Sequence, residues 1–469
     1  MVQIVIILAY FALTVFIGIR ATKKSDSSTS FHGAQLGVVM IVAASTGEWL
    51  GGTSTTGVSE YGFEYGISGA WYTVANGIGV LFLAIFFAKL YRSLDTVTVP
   101  GILAHFIGKD ARFVASILLI FVMIVVGSSQ VIAAGTLGVE ILGLPFWASV
   151  LILGVVFIIY TIAGGMNAVG STNVVHLVCM YGGVVLALVV ALKGLGGGSE
   201  LTADLPQEPY FQPMGIGVSK ATSWIIASLL GACTAQAGLQ PVLAAKDVKT
   251  ARKASFITAA VVAPFGVFTV LLGMIAKVQY GPEIEAMGGG KFALPVLMMH
   301  MHPAIGGVVL ASIFAAILST VSPIILASGT MFTKDVMLRK LKDQDDKKVL
   351  YVSRASTAVA GLVCIALAVI FYYQKAKILD LVYFAYTIRG ALFIILLYGI
   401  YWKRLSEKGA IASMLLTAVV GVFWVAWNTV TGSFPINPNI SETYAAVFTA
   451  AIATPVFTLI FPKAIESEK

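Results

Sequence analysis

Charge is scarce in this chain. Lys, Arg, Asp and Glu together make up 11% of its 469 residues, less than half of the roughly 25% usual in soluble domains, which excludes an ordinary water-facing globular surface. Cysteine is nearly missing too. Cys179, Cys233 and Cys364 all fall inside apolar segments, an arrangement that argues for packing rather than for disulfides or metal. His300 and His302 near a helix end are too few for a metal site. No nucleophile–base set and no phosphate loop occurs, so no enzymatic chemistry is expected. A cleavable leader is not expected either, because Val2 to Ile19 is too long and lacks a cleavage site.

What the chain has is apolar length. Hydrophobic residues reach 58% and mean hydropathy is +0.93, the composition of an all-α polytopic membrane protein. Windows long enough to cross a bilayer predict thirteen transmembrane helices, near 2–20, 36–58, 66–90, 112–138, 146–164, 172–193, 219–242, 254–277, 295–332, 350–373, 378–401, 409–430 and 443–461. Basic residues orient them. With the N-terminus outside, the inside loops hold Arg20, Lys23 and Lys24, then Lys89, Arg92, Lys109 and Arg112, then Lys246, Lys249, Arg252 and Lys253, then the run Lys334 to Arg354, then Lys403, Arg404 and Lys408. The outside loops keep only Lys193, Lys220, Lys277, Lys291, Lys375 and Lys377. The positive-inside rule then sets the N-terminus outside and the C-terminus inside. The net charge of +8 is thereby a topology signal and not a nucleic-acid footprint. The Gly- and Pro-rich loop 195–218 is expected to fold over an outer vestibule, and the mixed-sign run Lys334 to Arg354 reads as a solvated loop.

Polar residues inside these spans carry the functional signal. Ala316, Ser319 and Thr320 stand at i, i+3 and i+4 of one apolar helix, so two hydroxyls and a carbonyl share a face. Such a face serves either close helix packing or a small hard cation. Span 36–58 gathers Gly47, Gly51 and Gly52 around the acidic Glu48, and five spans later 219–242 sets Gly231, Gly238 and Pro241 around Gln236 and Gln240. Paired Gly/Pro-interrupted spans point to a transporter site between two inverted repeats. That symmetry divides the chain into an additional helix and loop (1–35), a first five-helix repeat (36–194), an external loop (195–218), a second five-helix repeat (219–401) and two additional helices with a short tail (402–469). Glu48, as an intramembrane charge, has three roles open to it: receiving a substrate ammonium, donating a coupled proton, or pairing with Arg389.

Four stretches carry a family resemblance. LQPVLAAKDVKTARKA (239–254), FAAILSTVSPIILASGTMFTKDV (314–336), GIYWKRLSEKGA (399–410) and AGGMNAVGSTNVVH (163–176) resemble signatures of the sodium:solute symporters, the first with Pro241 where an Arg is usual. The resemblance implies the thirteen-span, inverted-repeat (LeuT-type) fold and sodium-coupled import of a small polar or zwitterionic solute by alternating access. It implies one sodium site formed by the backbone carbonyls of Val42, Ser45 and Ala316 and the hydroxyls of Ser319 and Thr320. A second family site uses an Asp and a Ser pair. Here Asn173 stands at the Asp, and Pro323 follows Ser322, so one sodium per cycle is expected.

Substrate contacts are expected from Thr46, Glu48, Trp49, Gln130, Thr234, Gln236, Gln240, Tyr383 and Tyr386, and less from Trp71 and Tyr72. Trp49 resembles an aromatic of the choline branch, but Ala235 sits where that branch has a second cage Trp, and Ala44 falls where the proline branch is acidic. The alternative is a proton-coupled carrier of the same fold using Glu48 or His176. The expected partners are the substrate, sodium and the lipid bilayer of the cell (inner) membrane, with no nucleic acid and no obligatory protein partner.

Overall fold

The computed structural model describes residues 2–22, 35–338 and 345–463. Lys23, Lys24 and the middle of the Lys334–Arg354 run lie outside them. Among the described residues every regular element is helical, and the lone β contact is an isolated parallel bridge between Leu36 and Ala245. An apolar chain forms helices because hydrocarbon offers the backbone no partner, so each segment satisfies its own N–H and C=O groups.

Nine of the described helices are long and apolar enough to cross a membrane, ten if the bent pair Val218–Thr234 and Gln236–Leu243 is one span. Shorter apolar helices are also present at Val2–Thr14, Val38–Trp49, Phe146–Ile159 and Gly290–Met299. Helix Ile378–Tyr401 has the bounds read from sequence. The expected spans 146–164 and 172–193 share one helical run, Phe146–Leu195, divided at Gly165 by a left-handed turn (φ 57°, ψ −163°) instead of by a loop. The expected span 295–332 is corrected more sharply. Ala293–Met299 is a separate short helix, and after His300–His302 the buried helix starts at Pro303, where proline's fixed φ suits a first turn. The expected span 254–277 extends at both ends, from Val248 to Val262 and from Phe265 to Met287.

Both glycine-rich spans are broken. The first runs as Val38–Trp49, leaves helical geometry at Leu50 (φ −112°, ψ 77°), then resumes through a wide π-type turn at Thr53–Gly57 into Val58–Tyr65. The second bends by 41° at Ala235 (φ −75°, ψ 90°). Helix Pro303–Met331 lies at the centre, buried without interruption from Val309 to Met331.

The expected external loop packs onto the first broken span and the start of the next helix, Trp71–Phe86. Trp71 Nε1 donates to Pro213 O at 2.7 Å, and Tyr210 OH donates to Phe63 O at 3.2 Å. Gly66 makes this approach possible: its φ is +68°, and a Cβ there would meet Tyr210 O at 2.1 Å. Gly66→Ala is therefore expected to destabilise the protein by about 1–3 kcal/mol through backbone strain alone and to speed proteolytic cutting within 195–217. An unchanged cutting rate would refute this account of the loop.

Candidate ion and substrate site

The first break and the hydroxyl face of Pro303–Met331 meet directly. Ser319 Oγ donates to Ala316 O at 2.7 Å and lies 3.4 Å from Leu50 O. Thr320 Oγ1 donates to Gly47 O and lies 3.2 Å from Ala316 O. Gly47 is required for this approach, since a Cβ at that position would stand 2.2 Å from Ser319 O. A hydroxyl that gives its proton to a carbonyl keeps its lone pairs for a cation. The donor set here is neutral and all oxygen, fully buried, with no carboxylate among these contacts, which fits a single hard monovalent ion. Val42 and Ser45 lie earlier on the same helix. Val42 packs in an apolar cluster with Met166 and Leu326, and Ser45 Oγ donates to Gly238 O at 2.8 Å, joining the two broken spans.

Asn173 and His176 sit behind this face. Asn173 Nδ2 donates to Ser319 O at 3.1 Å, while Ser322 Oγ and Asn173 Oδ1 have no hydrogen-bond partner. His176 Nδ1 is bonded to the Tyr10 hydroxyl of the N-terminal helix.

Most of the expected substrate residues converge on a second cluster. Trp49 meets Tyr386 edge-on (6.0 Å between centroids), Tyr386 lies 5.7 Å from Tyr383, and Tyr383 stacks on Trp224 at 4.3 Å. Tyr72, ranked low from the sequence, is central. Its hydroxyl reaches Thr53 Oγ1 at 2.9 Å and Tyr386 OH at 3.4 Å. Glu48 and Arg389 form an ion pair at 2.7 Å with both side chains fully buried, and the guanidinium lies 4.8 Å over the Tyr386 ring. Of the three roles open to Glu48, the structure thus realises the pairing. Thr234 Oγ1 donates to Arg389 O at 2.7 Å, and Thr46 Oγ1 is buried beside Ser45 without a partner.

Three expected contacts are bonded to residues outside the aromatic cluster itself. Gln130 braces the first break, with Oε1 accepting from Thr53 N at 3.3 Å. Gln236 Oε1 accepts from Val99 N at 2.6 Å, and its Nε2 donates to Val97 O at 3.1 Å. Gln240 lies one turn further along the helix, 3.5 Å from Thr330 Oγ1. Arg389 and Trp224 are the residues the substrate set lacked, although a lone Arg in an apolar 24-residue helix is a strong signal in itself.

Polar contacts flank the cluster on two sides. Towards one end, Lys220 pairs with Asp380 at 3.0 Å, Tyr61 OH donates to Asp380 at 2.6 Å, and Lys377 bonds Glu64. Towards the other, Leu36 N donates to Ala244 O at 2.8 Å, Lys246 N donates to Leu36 O at 3.1 Å, and Arg92 Nε donates to Ala245 O at 2.6 Å.

Buried oxygens held between a broken helix and a straight one, beside a buried aromatic cluster in an apolar helical bundle, are the arrangement expected of an ion-coupled secondary carrier. The comparisons with known proteins agree. The profile of the "Sodium:solute symporter family" matches residues 31–417. The high-affinity proline transporter PutP of Bacillus subtilis is 25% identical over 94% of this chain and 96% of its own length. Sodium/proline symporter 2 of Staphylococcus saprophyticus is 24% identical over 98% and 93%. In fold, the chain resembles a Na+-coupled sialic acid symporter in its substrate-bound outward-open state, with a TM-score of 0.81 at 18% identity over 99% of both chains. The chain belongs to the sodium:solute symporter family. It is a multi-pass membrane transporter and not an enzyme, and sodium is its coupling ion.

Proposed function

We propose that the protein imports a small polar or zwitterionic solute across the cell membrane with one sodium ion per cycle. In this reading thirteen spans form two inverted five-helix repeats (36–194 and 219–401), the N-terminus lies outside and the C-terminus inside. The observation that carries it is the contact of the Ser319 and Thr320 hydroxyls with the carbonyls of the first break. Sodium would be held by the Ala316 carbonyl and those two hydroxyls, with Val42, Ser45 or the nearer Gly47 and Leu50 supplying carbonyls of the broken helix. Bound there, it would tie Val38–Trp49 to Pro303–Met331. The substrate would lie against Trp49, Tyr72, Tyr383 and Tyr386, near Thr46, Glu48 and Thr234. Gln130, Gln236 and Gln240 would set the shape of the breaks. The proline carriers among the relatives support a small solute of this kind.

Alternating access would use these two sets of contacts. The Lys220–Asp380 and Lys377–Glu64 end would be the outer gate, and the Leu36–Ala244 end the inner one. Sodium favours the closed arrangement of the broken helix, so its outside concentration biases which gate opens. At about 100 mV one charge contributes ~2.3 kcal/mol, a roughly fifty-fold gradient before the chemical term.

One ion per cycle rests on Asn173. A neutral amide bonded to Ser319 O brings no charge to offset dehydration of a second cation. In proteoliposomes Ser319→Ala is expected to raise the half-saturating sodium concentration roughly ten- to a hundredfold, the loss of one interaction with a charged group, with a charge-to-substrate ratio of one for a zwitterion. Uptake driven by a pH gradient without sodium, or a ratio of two, would overturn the proposal.

A further inference from the structure

Among the ion pairs of the described residues, only Glu48–Arg389 has both side chains fully buried. It joins the first break directly to helix Ile378–Tyr401 beneath the aromatic cluster. Gly231 and Gly238 of the second break flank it: a Cβ on Gly231 would sit 3.4 Å from Arg389 Cβ, and one on Gly238 would sit 3.4 Å from Glu48 Cβ. Both broken spans therefore converge on these two charges. The pair is also incompletely satisfied. Arg389 Nε and Nη1 and both Glu48 carboxylate oxygens have no hydrogen-bond partner, the Oε1–Nη2 approach being an ion contact alone, although buried donors and acceptors are almost always bonded. Beyond the ion contact, the pair leaves two cationic nitrogens and the Glu48 Oε2 carboxylate oxygen open, beside Trp49 and Tyr386.

We propose that Glu48 and Arg389 are a zwitterion receptor, in which the substrate's ammonium docks on Glu48 and its carboxylate on Arg389. This rests on the reading of the chain as a carrier and narrows its substrate to zwitterions, the class of amino acids and betaines. Charge balance makes the choice. The pair is neutral, and a zwitterion inserted between or beside its members leaves each charge compensated, so sodium stays the only net charge carried. A simple amine would occupy Glu48 and strand the guanidinium, and a simple carboxylate would do the reverse. A stranded buried charge is penalised far more than an exchanged pair. The arrangement thus selects against both single-charge classes with the same two residues, and Trp49, Tyr72 and Tyr386 contact the remaining apolar part.

The test uses the purified, detergent-solubilised full chain with and without sodium, and four probes read by isothermal calorimetry: L-proline, glycine betaine, choline and propionate. Binding of at least one of the two zwitterions is expected, with choline and propionate at least about thirtyfold weaker. Glu48→Gln and Arg389→Gln are each expected to weaken the zwitterion by about thirtyfold or more. Glu48→Gln is expected to narrow the gap to propionate and Arg389→Gln the gap to choline, a split that a purely structural pair does not produce. Should a single variant fail to fold, the Glu48→Gln/Arg389→Gln double, which buries no unpaired charge, carries the same affinity test. The proposal is overturned if neither zwitterion binds, if choline or propionate binds as well as the zwitterions, or if the variants keep zwitterion affinity within twofold. Zwitterion binding and uptake without sodium would sink the sodium-coupled reading while leaving this one standing. Sodium-driven uptake of an uncharged probe such as glucose, with no zwitterion binding, would do the opposite.

Discussion

Arg389→Gln is expected to destabilise the folded protein by about 3–5 kcal/mol, because it leaves Glu48 as an uncompensated charge with a fully buried side chain. Glu48→Gln should destabilise by a similar amount for the mirror reason. The Glu48→Gln/Arg389→Gln double exchanges a charged pair for two neutral amides, isosteric at position 48 and shorter than the original at position 389. It should lose less than the sum of the single losses, since neither residue then lacks compensation. Thermal or denaturant unfolding in detergent, carried through the full cycle, measures the coupling. Additive losses would mean that the two charges do not depend on each other, contrary to the 2.7 Å contact. The comparison separates folding from recognition, because the double variant recovers stability without recovering a place for a zwitterion.

Gly47→Val is expected to abolish sodium-dependent stabilisation, with the half-saturating concentration rising more than about a hundredfold. A side chain at this position would meet the Ser319 carbonyl at 2.2 Å and the Asn173 amide at 2.7 Å. Backbone cannot yield as a flexible side-chain tip can, so the helices must separate. The Gly47 and Leu50 carbonyls then leave the Ser319 and Thr320 hydroxyls, and a site built from two elements no longer closes. Gly182→Ala is the control. It lies in a helix with nothing within 4 Å of the added methyl, so it should leave sodium binding unchanged and stabilise slightly, by about 0.5–1 kcal/mol. Melting curves recorded across a sodium series, with potassium holding ionic strength constant, distinguish the two. Retained sodium stabilisation in Gly47→Val would show that the close approach of these helices is not what forms the site.

Both predictions depend on features that were unequally legible in the sequence. The breaks were readable because they are local: Gly47, Gly51 and Gly52 within one span, and Gly238 with Pro241 in another, lower the barrier to leaving helical geometry wherever the chain goes next. The hydroxyl face was readable because i, i+3 and i+4 positions share a side of any helix. Helix Ile378–Tyr401 was bounded correctly, because charged or turn-forming residues end its apolar run at both sides. Span 295–332 was misjudged for the converse reason. Hydropathy alone does not register that His300 to His302 and Pro303 end one helix and start another.

Side-chain destinations were the part that local rules did not reach. Gln236 and Gln240 share a helical face near the second break, as the sequence pattern required, but only packing decided that this face turns to Val97, Val99 and Thr330 and not to the aromatic cluster. Tyr72 reached the centre because its helix packs between Thr53 and Tyr386, residues 19 and 314 positions away in sequence.

By itself, then, the sequence determined an apolar all-helical chain, its interrupted spans and the helix face able to offer oxygens to a cation, since each follows from periodicity, hydropathy or backbone freedom within one segment. The tertiary structure decided which carbonyls meet those hydroxyls and that Glu48 pairs with Arg389 across 341 residues of chain. Those outcomes depend on how separate helices pack, and a buried charge or lone pair takes whichever partner that packing brings within reach.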